Sequence, residues 1–159
     1  MAEPLWRPDS SRVKSANMTA FRNWLKEEYE VSLNSYSALH QFSVSRQEEF
    51  WAAVWQFSGV IADTRGDRVM VDGNNMPGAQ FFPDAKLNFA ENLLRRRDDG
   101  EALVFRAEDQ IEKRLSWREL YEEVSRIAAA LKMVGVQPGD RCAGFLPNSP
   151  EAVVAMLAT

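Results

Sequence analysis

The sequence predicts an α/β fold in which a helical, tryptophan-rich segment precedes the start of a parallel β-sheet. Four of the five tryptophans lie in the first 60 residues, among apolar side chains with helical spacing. Two segments on either side of the polar turn Glu108–Gln110 predict the strands of a β-hairpin, Ala102–Arg106 and Glu112–Leu115. A long amphipathic pattern and another apolar run follow, so strand, helix and strand form a βαβ unit.

Four predicted helices make up the amino-terminal segment. Each apolar pattern is preceded by side chains that can cap a helix: Asp9 or Ser10, Thr19, Ser35, and the capping box from Ser45 to Glu48. Gly59 is typical of a residue that ends the fourth helix. Because aromatic side chains at this spacing usually pack in a core, we interpret the tryptophans as core residues.

The middle of the sequence has a looser pattern. Val69–Val71 predicts a short strand, and the following residues to Asn75 predict a turn. A helix is predicted from Phe89 to about Arg96. We interpret the run Arg95–Arg97 as the solvated end of this helix, where cations favour the helix dipole, and a phosphate or coenzyme contact is the alternative.

The clearest element is a helix predicted from Trp117 to Val134. Ser116 and Glu119 form a capping box at its start, and Gly135 follows its end. One face carries apolar side chains that we expect to point inward: Leu120, Val124, Ile127 and Leu131.

A buried strand is predicted for Arg141–Leu146, followed by a helix that starts at Pro150 after Asn148 or Ser149 as the N-cap. This last helix is apolar on nearly all sides and has no termination signal before Thr159, which is typical of an element inside a larger protein. We therefore expect the chain to be the amino-terminal piece of a longer α/β enzyme.

Composition excludes several classes of function. A net charge of −4 argues against a surface for nucleic acid or an anionic membrane. The start does not resemble a signal peptide, and no apolar run approaches the roughly 20 residues of a membrane span. The single cysteine, Cys142, excludes an internal disulfide, so a reducing, cytosolic setting is expected.

No catalytic, cofactor-binding or metal-binding residue is predicted. His40 is the only histidine, and we interpret it as a packing or surface residue. Cys142 lies in the predicted strand, where a packed thiol is expected. The sequence has no glycine-rich phosphate loop, no zinc-ligand spacing and no argued acid/base pair.

Several segments nevertheless resemble a known family. The segments from Leu115 to Leu120, Arg126 to Leu131, Gly135 to Arg141 and Leu146 to Glu151 are similar to the opening of the adenylate-forming acyl-CoA synthetases. Further segments resemble the acetoacetyl-CoA synthetase branch of that family: Pro4–Pro8, Phe50–Trp55 and Phe81–Leu94.

The resemblance implies a two-step ligase that uses ATP, Mg and coenzyme A to activate acetoacetate. It also implies that residues 1–98 form the amino-terminal helical segment and residues 99–159 the truncated start of the AMP-binding domain. The family's phosphate-binding and catalytic motifs are absent from this sequence, so we expect the fragment to be inactive and to bind none of these ligands. Two alternatives remain open: a fragment of an acetyl-CoA or other short-chain acyl-CoA synthetase, and a non-catalytic interaction module.

Overall fold

The computed structural model describes residues 5–108 and 112–159 and divides the chain into two compact units. The first unit is Met1–Lys86 and the second is Leu87–Thr159. Helices and small β-sheets occur together, so the predicted α/β class is confirmed. The predicted boundary between residues 98 and 99 lies within the second unit and stays a prediction about the domains of the family.

In its described residues, the first unit has four helices and one small sheet. The helices are α1 (Ser10–Ser15), α2 (Asn17–Glu28), α3 (Tyr36–Ser45) and α4 (Gln47–Phe57). The strands β1 (Met70–Val71) and β2 (Gln80–Phe81) are antiparallel, with Met70 opposite Phe81. The predicted short strand near Val69 is confirmed as β1.

The core of the first unit lies between α2, α3 and α4. Leu25 is fully buried, and Phe21, Leu39, Phe42 and Ala53 pack around it. Aromatic contacts extend this core, since the ring of Phe21 lies 5.0 Å from that of Phe57 and 6.2 Å from that of Trp24. These contacts agree with the interpretation of Trp24 as a core residue. Trp6 is 66% exposed, so the same interpretation is wrong for Trp6.

Two of the predicted helix caps in this unit are confirmed. The carboxylate of Asp9 accepts a hydrogen bond from the Arg12 backbone N–H at 2.8 Å. The hydroxyl of Ser35 accepts one from the Ala38 N–H at 3.1 Å. The predicted stop is also found, because Gly59 directly follows Ser58, the C-cap of α4.

Two other predicted caps, Thr19 and Ser45, are wrong. Thr19 lies inside α2, and its hydroxyl donates to the Val13 carbonyl at 2.6 Å. Ser45 is the last residue of α3, and its hydroxyl donates to the Gln41 carbonyl at 2.7 Å. Thr19 thus satisfies a carbonyl of the preceding helix α1, and Ser45 satisfies one in the preceding turn of its own helix, so neither hydroxyl acts as the predicted cap.

The second unit consists of a hairpin and three helices in its described residues. These elements are α5 (Phe89–Leu93), β3 (Glu101–Arg106), β4 (Glu112–Ser116), α6 (Trp117–Met133) and α7 (Pro150–Ala158). The predicted hairpin is confirmed: β3 and β4 are antiparallel, with Leu103 opposite Leu115. Two residues of its predicted turn, Asp109 and Gln110, lie outside the described residues.

Helix α6 has the predicted start and end. The Ser116 hydroxyl accepts from the Glu119 N–H at 3.2 Å, and the Glu119 carboxylate accepts from the Ser116 N–H at 2.8 Å. Gly135 adopts a φ of +91° just beyond the helix, a conformation that disfavours side chains with a Cβ. Strong local signals at both ends therefore define this helix.

The core of the second unit is the contact between α6 and α7. Leu120 and Val124 of α6 are buried with Val154 and Leu157 of α7. Of the other two side chains predicted to point inward, Leu131 is half-buried, whereas Ile127 remains 39% exposed. The predicted apolar face is thus covered at its amino-terminal half, whereas Ile127 faces α7 and is only partly covered.

The strand predicted for Arg141–Leu146 does not form. These residues have no strand partner among the described residues, and all six are exposed. A buried strand needs hydrogen bonds for its backbone N–H and C=O groups, and the sheet of the second unit ends with β3 and β4. Cys142 is consequently exposed, and its predicted packing is wrong.

Length and apolar character decide whether one of the described helices could span a membrane. None of them has both the length and the continuous apolar character that crossing a bilayer requires.

Substitution of Leu25 tests the core of the first unit. Leu25→Ala should lower the free energy of unfolding by about 2–5 kcal/mol, because it leaves a cavity at a fully buried position. Met18→Ala in the same helix is the matched control, since Met18 is exposed. Urea unfolding followed by tryptophan fluorescence measures both variants, and equal effects would contradict this packing.

Candidate functional site

An apolar groove of the second unit lies between α6, α7 and residues 142–146. Its volume is about 500 Å³. The groove is lined by Ile127, Leu131, Cys142, Ala143, Gly144, Leu146, Ala152, Ala155, Met156 and Thr159. It is the best candidate for a functional surface in this unit.

The side chains of the apolar groove suit contact rather than catalysis. None of them is charged, and Cys142 and Thr159 supply the only side-chain heteroatoms besides the thioether of Met156. Met156 is 59% exposed, and Leu146 is 52% exposed. A contiguous apolar surface of this kind typically marks a site that another protein surface covers.

An ion pair fixes the start of α7 against the hairpin. The Lys113 ammonium of β4 donates to the Glu151 carboxylate at 2.6 Å. This hydrogen bond, with a further one from Ser149, lowers the pKa of Glu151 to about 2. Glu151 also lies in the first turn of α7, where a negative charge interacts favourably with the helix dipole.

The arginine run does not form a helix end, which corrects the prediction. Helix α5 stops at Leu93, and the three arginines follow it. The Arg96 guanidinium donates to Asp98 and lies 5.7 Å from the Trp117 ring centroid. The Arg97 guanidinium lies 3.8 Å from the Tyr121 ring centroid. Both arginines therefore attach the segment after α5 to α6.

Asp98 and Asp99 complete this attachment. Asp98 accepts from Arg96, and Asp99 accepts from Arg118 of α6 at 2.8 Å. The pKa of Asp98 is lowered, first by the hydrogen bond from Arg96 and then by one from the Gly100 N–H. Since these carboxylates already neutralise nearby cations, the arrangement does not favour the alternative interpretation of the run as a phosphate site.

The two residues considered for chemistry, His40 and Cys142, lie in different units. His40 is exposed on α3, with its ring 6.4 Å from that of Tyr36. Cys142 lines the apolar groove. Among residues 5–108 and 112–159, no group of three or more His, Cys, Asp or Glu side chains could hold a metal ion. That the chain contributes no catalytic or ligand-binding residue remains a prediction.

The sequence did not predict the apolar groove as such. A signal for it was present in α7, which has one charged residue, Glu151, and apolar side chains on all sides. Such a helix can bury only part of its surface against α6. The uncovered part, together with residues 142–146, forms the groove.

Two family models match consecutive parts of the chain. The model described as acetyl-coenzyme A synthetase N-terminus matches residues 36–93. The model described as AMP-binding enzyme matches residues 89–159. The groove, α6 and α7 all lie within the second match.

Individual relatives match almost the whole chain. The acetoacetyl-coenzyme A synthetase of Rhizobium meliloti is 47% identical over 98% of this chain and 24% of its own length. The malonamoyl-CoA synthetase of Penicillium aethiopicum is 36% identical over 99% and 22%, respectively. A solved acetoacetyl-CoA synthetase from Streptomyces lividans has a TM-score of 0.84 and 42% identity, covering 99% of this chain and 25% of that one. The chain thus spans about a quarter of the length of its relatives.

The pH dependence of unfolding tests the Lys113–Glu151 pair. Because the pKa of Glu151 is lowered from 4.5 to about 2, its charge stabilises the fold above pH 4.5, and this contribution is lost as the pH falls to 2. Glu151→Gln should therefore be less stable than the original chain at pH 7 and equally stable near pH 2. Urea unfolding followed by circular dichroism measures this difference.

The control for this experiment is Glu122→Gln, which removes an exposed carboxylate on α6 that has no ion pair among the described residues. It should show no pH-dependent difference of this kind. A Glu151→Gln effect that persists at pH 2, or one that is absent at pH 7, would contradict the role of the pair.

Proposed function

Because the chain is homologous along nearly its whole length to the amino-terminal quarter of the acetoacetyl-CoA synthetases, we propose that it is the amino-terminal part of an ATP-dependent acetoacetate–CoA ligase. The observation that carries this proposal is the 47% identity to the Rhizobium meliloti enzyme over 98% of the chain. The similar backbone of the Streptomyces lividans enzyme supports it independently.

The proposed reaction has two steps. A carboxylate oxygen of acetoacetate attacks the α-phosphorus of ATP, which forms an acyl-adenylate and releases diphosphate. The thiolate of coenzyme A then attacks the acyl carbon, which forms acetoacetyl-CoA and releases AMP. Both steps require groups that stabilise phosphate charge and position the reactants, and Mg is part of the proposal for the first step.

The described residues do not fit these ligands. The apolar groove has no charged side chain for a triphosphate. Arg96 and Arg118 are paired with Asp98 and Asp99. No group of three or more His, Cys, Asp or Glu side chains that could hold a metal ion is found among residues 5–108 and 112–159. We therefore assign ATP, coenzyme A, Mg and acetoacetate to the remainder of the proposed enzyme, and no residue of this chain to catalysis.

The role we propose for the second unit is structural. Residues 141–146 would pair with a strand supplied by the remainder of the AMP-binding domain, and that domain would cover the apolar groove. Two observations support this role: the exposed apolar side chains of the groove, and the match of the AMP-binding enzyme model from residue 89 to residue 159. A parallel sheet needs cover on both faces, and α6 with α7 would supply one layer.

We place the proposed enzyme in the cytosol, with small molecules as its substrates and no nucleic acid partner. The net charge of −4 supports the absence of a nucleic-acid surface. The single cysteine of the chain, which excludes an internal disulfide, is in keeping with a reducing compartment.

A second candidate differs in the acyl substrate. The malonamoyl-CoA synthetase relative and the acetyl-coenzyme A synthetase N-terminus model both favour the activation of another short carboxylic acid. The present chain holds no residue that we assign to the acyl pocket, so only an assay distinguishes these substrates.

The acyl preference of the complete protein tests the proposal. We expect kcat/KM for acetoacetate to exceed that for acetate, propionate and malonamate, measured as AMP release with coenzyme A present. A clear preference for one of the other acids would contradict the acetoacetate assignment. No AMP-forming activity with any of the acids would contradict the ligase proposal itself.

The isolated chain provides a second test. We expect the 159-residue chain to form no acyl-CoA and to show no saturable heat of ATP binding, because Arg96 and Arg118 are paired with carboxylates and the apolar groove has no charged side chain. The complete protein, titrated under the same conditions, is the positive control. Micromolar ATP binding by the isolated chain would contradict the assignment of the nucleotide to the remainder.

A further inference from the structure

We propose that the first unit contains a binding site for a small planar organic anion, of the class of an aromatic or conjugated monocarboxylate. The site is a cleft of about 380 Å³ on one side of α4, here called the Arg65 cleft. Its walls are Tyr29, Ala52, Trp55, Gln56 and Arg65. All these residues belong to the first unit, and the site goes beyond the ligase function proposed above.

Two wall residues of the Arg65 cleft, Trp55 and Arg65, each lie against the ring of Phe82, which does not itself line the cleft. The Trp55 and Phe82 ring centroids are 4.5 Å apart. The Arg65 guanidinium lies 5.4 Å from the Phe82 ring centroid. Trp55, Phe82 and Arg65 are each half-buried, so the guanidinium is held against an aromatic surface and partly removed from water. A cation in such a place interacts more strongly with an anion than a fully solvated one.

The backbone of Phe82 is held in an unusual conformation. Phe82 has a φ of +46°, which is rare for a bulky side chain. The hydrogen bond from the Phe82 N–H to the Val69 carbonyl, at 2.8 Å, fixes this conformation. Gly66 adjoins Arg65, and a Cβ there would lie 2.4 Å from the Cβ of Asp84. The Phe82 backbone and the close approach of Gly66 to Asp84 therefore help to position the Phe82 ring and Arg65.

The charges around Arg65 leave its guanidinium without a counterion. Among residues 5–108 and 112–159, no carboxylate forms an ion pair with it. The nearby Asp84 is occupied by Arg68, whose Nε donates to it at 2.7 Å. An arginine fork of this kind binds a carboxylate through two parallel hydrogen bonds.

The other polar groups of the cleft favour the same ligand. The Tyr29 hydroxyl donates to the amide oxygen of Gln56 at 3.1 Å, which leaves the amide nitrogen as the donor group of that side chain. One cation and an amide donor suit a single negative charge. The indole of Trp55 and the phenol ring of Tyr29 provide apolar walls for a flat body. A volume of about 380 Å³ lies at the lower end for small-molecule sites and suits a ligand of about one ring.

Calorimetric titration of the 159-residue chain with benzoate tests this site. Benzamide is the matched uncharged probe, and it needs no variant. We expect saturable benzoate binding that is at least about tenfold tighter than benzamide binding, the size of one charge-assisted hydrogen bond. Equal binding of the two probes, or no saturable benzoate binding, would overturn the proposal.

Three variants locate the binding. Arg65→Gln should weaken benzoate binding about tenfold or more, whereas Arg126→Gln removes the same charge from the second unit and should leave it unchanged. Arg65→Lys keeps the positive charge but loses the paired N–H donors of the guanidinium. Its affinity for benzoate should therefore lie between that of the original chain and that of Arg65→Gln. Benzoate binding that survives Arg65→Gln in a folded chain would overturn the site, and tighter binding of inorganic phosphate would overturn the ligand class.

Discussion

The packing of α6 against α7 determines the structure of the second unit. Leu120 and Val124 are buried with Val154 and Leu157, and this contact joins a helix that follows the hairpin to the last helix of the chain. Because α7 is apolar on all sides, this contact covers only part of it. The rest of its apolar surface faces the apolar groove, next to a segment with no strand to pair with. The helical layer formed by α6 and α7 thus has one covered face and one open face.

Local signals in the sequence predicted local structure well. Helix α6 was predicted because its capping box, its apolar stripe and Gly135 all act within one or two turns. The caps Thr19 and Ser45 were misassigned because a hydroxyl can bond either to the preceding carbonyls or to the following N–H groups, and the tertiary structure selects between them. The strand at Arg141–Leu146 depends on a partner distant in sequence, which no local pattern contains.

The candidate sites show the same division between local and distant causes. The absence of a phosphate-binding loop was visible in the sequence and agrees with a groove that has no charged lining. The Arg65 cleft was not predicted, because it depends on a positive φ at Phe82 that brings Trp55 and Arg65 to the same ring. Similarity to about a quarter of a synthetase fits these observations, and the ligase chemistry is proposed for the remainder.

Hydrogen exchange at residues 141–146 tests most directly whether this chain is one layer of a larger domain. The measurement compares the 159-residue chain with the complete protein under the same conditions. We expect these backbone amides to exchange fast in the isolated chain, where they have no strand partner, and slowly in the complete protein, where a paired and buried strand would protect them. Fast exchange in both proteins would contradict the proposed pairing, as would slow exchange in the isolated chain.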